Sequence, residues 1–212
     1  MQRFDKKAHW QKIYEAKKTS ELTWFQTEPT VSLELIAKCN LKLSEPVIDV
    51  GGGSSLLVDH LLERGYTKLA VLDISEAALS ASRQRLGVNA ERIKWIESDI
   101  TVYKPRAQVA LWHDRAVFHF LTDAEDRNKY VATLKQTLPV GGHLIIASFA
   151  IGGPEKCSGL PIVQYDSQKL LSELGTDFKL LAEQTENHIT PAQRIQEFTY
   201  FYLVRVANSE QT

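Results

Sequence analysis

No stretch of this chain stays apolar for the roughly 18 residues that a membrane-crossing helix needs, and the opening segment MQRFDKKAHWQKIYEAKK lacks the apolar core of a signal peptide. The expectation is a soluble, cytoplasmic protein with no membrane partner. Cysteine is nearly absent. Cys39 and Cys157 are the two present, and they lie too far apart to match a metal-ligand spacing or to make a disulfide framework, so no metal is expected. Charge of one sign is lacking as well: 25 basic and 26 acidic residues are mixed along the chain, which excludes a broad basic face for nucleic acid. With 11 glycines and 7 prolines there is no linker, no low-complexity tract and no internal repeat. The 212 residues read as one domain, 1–212, with a monomer favoured.

What is present is an alternation of two patterns. Short apolar runs read as strands: 46–50, 69–73, 93–98, 109–113 and 143–149. Between the first five lie SLLVDHLLERG, SEAALSASRQRLG, a short stretch 100–108, and DAEDRNKYVATLKQTL, three of which have helical spacing and helix-end signals. SLELIAKC, residues 32–39, looks like a further helix leading into the first strand. The alternation predicts an α/β fold, a doubly wound and mostly parallel sheet with helices on both faces. Two more strand candidates, 178–186 and 197–206, follow one another with no helical segment between them. They are expected to form an antiparallel pair closing one edge, which makes seven strands.

The first strand ends in VIDVGGGSSLLVDHLL, Val47 to Leu62, and the ligand of that glycine turn can be narrowed by elimination. A triphosphate loop needs a lysine after its last glycine, and residues 53–57 have none. A dinucleotide turn needs a third glycine where Leu56 stands. Asp49, two residues ahead of Gly51, would repel a pyrophosphate but suits a ligand whose nearest group is cationic, such as an amino acid's ammonium.

These residues resemble those of the class I S-adenosylmethionine-dependent methyltransferases. The glycine motif is matched by Asp49, Gly51, Gly52 and Gly53, with Ser55 where many members carry another glycine. The resemblance implies a Rossmann-like methyltransferase fold, S-adenosylmethionine as cofactor, and a glycine turn passing under its methionine part. It implies that Asp73, ending the second strand, binds the ribose hydroxyls and that Asp99 contacts the adenine amino group, with Ile74 and Ile100 beside them. The segment LWHDRAVFHFLT resembles a small bacterial-type subgroup and, more distantly, thiopurine-type and protein-lysine methyltransferases.

Methyl transfer is an in-line displacement at a carbon already activated by its sulfonium, so alignment and exclusion of water are the main demands. Where an acceptor must first lose a proton, His113, Asp114 and His119 are the catalytic candidates, with His113 also placed beside the cofactor. Packing or helix capping are their competing roles. Trp24 and Phe25 are expected to enclose the sulfonium by cation–π attraction, as part of an N-terminal lid, residues 1–30, that is mobile until cofactor binds. The segment 150–166 is expected to wall the acceptor pocket. The favoured function is methyl transfer to a small nucleophile such as a thiol or an amine. A protein-lysine methyltransferase and a non-enzymatic cofactor-binding protein stand as alternatives, and a dehydrogenase is disfavoured.

Overall fold

The computed structural model describes residues 4–207. In chain order its elements are α1 (Lys6–Ala16), α2 (Thr30–Lys38), β1 (Val47–Val50), α3 (Leu57–Glu63), β2 (Leu69–Asp73), α4 (Glu76–Leu86), β3 (Ile93–Glu97), β4 (Leu111–Arg115), α5 (Ala124–Thr137), β5 (His143–Phe149), β6 (Lys156–Cys157), β7 (Leu160–Pro161), α6 (Ser167–Leu174), β8 (Phe178–Ile189) and β9 (Ile195–Arg205). Seven strands form one sheet in the order β3-β2-β1-β4-β5-β9-β8. The pairings among β3, β2, β1, β4 and β5 are parallel, and β9 runs antiparallel to both its neighbours. The expected doubly wound sheet with a closing antiparallel pair is therefore present, and its crevice lies beyond the carboxyl ends of the parallel strands.

Two apolar clusters sandwich the sheet, and side-chain parity assigns each residue to one of them. Val47, Leu111 and Ile145 pack with α2 and α3, whereas Ile48, Trp112 and Ile146 pack with α5 and α6. The same parity carries Asp49, His113 and Arg115 to the α2 side and sends Asp114 to the α5 side. Successive residues of one strand thus serve two different environments.

The fourth strand was expected at 109–113 and is observed at Leu111–Arg115. Asp114 and Arg115 look like turn residues by composition, yet both are accommodated inside. The Asp114 carboxylate accepts from the backbone N–H groups of Val117 (2.7 Å) and Phe118 (3.1 Å) and from the Tyr130 hydroxyl (2.6 Å). Trp112 Nε1 donates to that same hydroxyl at 2.9 Å. Burial pushes the Asp114 carboxyl up to about 6, against these three donors, which hold it down. Residues 167–174, unassigned by sequence, form α6, started by Asp166 accepting from the Lys169 N–H.

Removing the Asp114 carboxylate leaves three donors buried without an acceptor. Asp114→Ala should lower unfolding free energy by roughly 2–4 kcal/mol, read as a shift in the urea midpoint at unchanged slope. A variant as stable as the parent would show that the turn after β4 does not depend on this carboxylate.

Candidate active site

The crevice is a cavity of about 570 Å³, within the range of small-molecule sites. At one end lie Leu72, Asp73, Ile74, Asp99 and Ile100, which are the ends of β2 and β3 and the residues after them. Asp73 Oδ1 accepts from the Ser75 N–H at 2.8 Å, and Ser75 in turn caps α4. Asp99 Oδ1 accepts from the Thr101 N–H and hydroxyl, each at 2.8 Å.

The glycine turn passes between these acids and β4 under close constraint. Gly51 and Gly53 have φ of +69° and +35°, in the region that favours glycine. A Cβ on Gly51 would run into Val117, and one on Gly52 into the Asp49 carboxylate. On Gly53 it would sit 2.6 Å from Asp73 Oδ2. Asp49 is fixed from below: its Oδ1 accepts from His113 Nδ1 at 2.7 Å, while His113 Nε2 meets the Ser32 hydroxyl of α2 at 2.9 Å.

Sequence reasoning singled out the leader but missed how its halves divide. Helix α1 crosses the mouth of the crevice, with Gln11 Oε1 accepting from Ser75 Oγ and from the Ala77 N–H at the start of α4. Lys6 and Lys7 pair with Asp126 on α5 and Glu97 on β3. No residue of α1 is buried. Residues 22–26 are tied into the body instead. Leu22 is 1% exposed, His188 Nε2 donates to Thr23 O, Arg115 Nη1 donates to Trp24 O, and Gln26 donates to Glu186. Trp24 lines the cavity with Trp10, Tyr14 and Phe120, and Trp10 meets both Trp24 (5.8 Å) and Phe120 (5.0 Å) edge-on. Phe25 lines a smaller neighbouring cavity beside Gly52 and Asp49. Residues 1–3 of the expected lid lie outside the described residues.

The other end of the cavity is lined by Phe149 and Phe198, by Arg115, and by Cys157, Leu160 and Pro161 of the β6–β7 hairpin. That hairpin occupies the segment expected to form an acceptor wall. Of the three catalytic candidates, His113 has both ring nitrogens engaged and Asp114 is occupied by its three donors. His119 is fully buried between Phe120 and Phe149, and its nitrogens have no hydrogen-bond partner among the described residues. Burial, with Arg115 nearby, pushes its pKa down to about 3. Arg115, Tyr14 and Trp10 line the cavity but were not among the candidate site residues, although Arg115 stands in the motif that supplied three of them.

Residues 47–142 match a family model described as a methyltransferase domain, covering β1 to the turn before β5 with the glycine turn, Asp49, Asp73 and Asp99. That stretch, a little under half of the chain, is similar to methyltransferase domains. The chain's fold agrees with that of a S-adenosylmethionine-dependent methyltransferase from Anabaena variabilis, at TM-score 0.74 and 15% identity over 95% of this chain and 96% of that one. The glycopeptide N-methyltransferase MtfA, solved with S-adenosylhomocysteine, gives TM-score 0.67 and 15% identity, covering 85% of this chain and 91% of that chain. An eEF1A lysine and N-terminal methyltransferase of Bos taurus is 26% identical over 151 residues, which is 67% of this chain. The chain spans about a fifth, 21%, of that relative's length. No helix among the described residues is long and apolar enough to cross a membrane.

Burial and the neighbouring Asp49 push the Asp73 carboxyl up to about 7, so its ionised form destabilises the free fold. An acid whose pKa is raised on folding favours the fold when protonated, and that advantage is lost as pH rises through the folded value. Asp73→Asn should therefore melt at a higher temperature than the parent at pH 8, with the gap narrowing as pH falls towards 4. Equal melting temperatures at pH 8 would show that Asp73 is not strained by its surroundings.

Proposed function

We propose that this chain transfers the methyl group of S-adenosylmethionine to a compact nucleophile, a thiol, an amine or a similar group. The observation that carries this reading is the lining of the cavity, where aromatic side chains and the β6–β7 hairpin wall a compact chamber continuous with the end that holds Asp73 and Asp99. The residues fit the cofactor. The glycine turn has no Cβ to obstruct it, Asp73 and Asp99 line one end of the cavity where they would meet ribose and adenine, and Trp10, Tyr14 and Trp24 would cover a sulfonium. Ile74 and Ile100 would flank the adenine.

The cofactor supplies a methyl group already made electrophilic by its sulfonium. The chain's own contribution is alignment and the exclusion of water. In this reading His113 and Asp114 are positioning residues: His113 holds Asp49 beneath the glycine turn, and Asp114 sets the backbone from β4 to Phe118. His119 stays uncharged in its apolar setting and helps shape the wall behind Phe120 and Phe149. Helix α1 is the opening part of the leader, since none of its residues is buried and its polar ties include the exposed Lys7–Glu97 pair, Lys6–Asp126 and Gln11, whereas residues 22–26 form a fixed wall.

A second reading, methylation of a protein lysine, is favoured by the similarity to the Bos taurus eEF1A lysine and N-terminal methyltransferase. Purified protein supplied with methyl-labelled cofactor, a metabolite extract and a protein lysate separates the two. Label is expected in the small-molecule fraction. Label confined to a protein band would replace the proposal with the second reading.

Two further outcomes test the site. Because a carboxyl must be ionised to accept both ribose hydroxyls, S-adenosylhomocysteine should bind more tightly as pH rises from 6 to 8, and Asp73→Asn should bind about 5–100-fold more weakly without that dependence. Calorimetry showing a pH-independent affinity in the parent would remove Asp73 from the ribose site. Deleting residues 1–16 should reduce methyl transfer at least about ten-fold while the body stays folded. Undiminished transfer by the truncated chain would make α1 a bystander.

A further inference from the structure

We propose that Arg115 binds an anionic group on the methyl acceptor, so that the substrate is a compact, largely apolar molecule bearing a carboxylate. This rests on the reading of the cavity as a methyl-transfer site and names the chemistry of its acceptor end.

The guanidinium is fixed on three sides. Nε donates to the Tyr200 hydroxyl at 2.8 Å, Nη1 donates to Trp24 O at 3.1 Å, and the Phe198 ring covers one face with its centroid 4.5 Å from Cζ. Nη2 makes no hydrogen bond among the described residues. It lies 3.5 Å from Glu186 Oε2, but both oxygens of that carboxylate are already engaged, Oε1 by Gln26 and Oε2 by the Tyr200 hydroxyl. A buried guanidinium nitrogen with unused N–H groups, held rigid beside a cavity, is prepared for an anion and has little entropy left to lose on binding one.

The direction of the side chain separates acceptor from cofactor. Arg115 starts on β4, next to β1, but its partners Tyr200 and Glu186 belong to β9 and β8, beyond β5 and on the far side from the glycine turn. The side chain, with its buried Nη2, therefore lines the end bounded by Phe149, Phe198 and the β6–β7 hairpin. The other basic side chain lining the cavity, Lys6, is paired with Asp126. The acids on the cavity wall cluster at the cofactor end and near α5, which leaves the acceptor end with a cation and aromatic surfaces. Aromatic walls plus one fixed guanidinium select an apolar acid over its neutral amide.

Benzoate and benzamide, titrated by calorimetry into the protein saturated with S-adenosylhomocysteine and into the free protein, test this directly. Benzoate should bind at least about ten-fold more tightly than benzamide, the difference expected for a charge-assisted fork contact. Arg115→Gln should abolish the preference while changing the S-adenosylhomocysteine affinity by less than about two-fold. Glu186→Gln, which keeps an acceptor for Tyr200 but removes the competing charge, should strengthen benzoate binding. Equal binding of the two probes, or no binding of either at millimolar concentration, overturns the proposal. So does an Arg115→Gln variant that loses the cofactor product and keeps the preference, since Arg115 would then serve the cofactor. Absence of heat from S-adenosylhomocysteine itself would instead sink the methyl-transfer reading, and the free-protein titration would still decide between benzoate and benzamide.

Discussion

Everything at the crevice depends on how closely the chain can pass the end of β1. Three successive residues there have no side chain, and each missing Cβ corresponds to something already in its place: Val117 for Gly51, the Asp49 carboxylate for Gly52, the Asp73 carboxylate for Gly53. The turn is thus a point of contact between β1, β2 and the segment after β4, with two acids drawn towards a backbone that carries the N–H groups. Asp49 tolerates burial because His113 meets it, and His113 is oriented by Ser32 from a helix earlier in the chain. Asp73 accepts from the Ser75 N–H instead, and burial raises its pKa. A site that binds a polar ligand well commonly keeps such an imbalance in its free state.

A second dependence runs through the leader. Its two halves are held by different means, ion pairs, a glutamine and the Trp10 ring for α1, backbone carbonyls and a buried leucine for residues 22–26. The carbonyls of Thr23 and Trp24 are acceptors for His188 and Arg115, so the fixed half joins strands β4 and β8 through its main chain. Side-chain identity at these two positions is freed for the cavity, where Trp24 is used.

The sheet was legible because period-two and period-3.6 patterns alternate cleanly from Val47 to Phe149, and the antiparallel close was legible because no helical segment separates the last two runs. Asp73 and Asp99 were singled out by the resemblance to class I methyltransferases, and both line the crevice on which strand ends in this topology converge. The roles of His113 and Asp114 were hidden for a different reason. Their neighbours in sequence say nothing of Asp49, Ser32 or Tyr130, which reach them from other elements, and parity along β4 separates the two by the full thickness of the sheet. Arg115 was overlooked because an arginine at a strand end reads as solvent-facing, and the groups that hold it inside are some 70 to 85 residues further along. Helix α6 had its signals, Asp166 as cap and Leu170 and Leu174 on one face, but was overshadowed by the glycine- and proline-rich stretch before it.

The position of β9 has a consequence for how the molecule is made. It is the last strand in the described chain, yet it lies inside the sheet, between β5 and β8. Until it is in place, β5 presents an open edge lined by Ile145, Ala147 and Phe149, and β8 has nothing in the sheet to pair with. The two residues that fix Arg115 from the sheet, Glu186 and Tyr200, arrive with this final pair. During synthesis the half around the glycine turn can therefore be assembled from residues up to about β5, while the half around Arg115 waits until β8 and β9 have been made, and a nascent chain spends that interval with an unpaired apolar edge that a chaperone or a second chain can occupy.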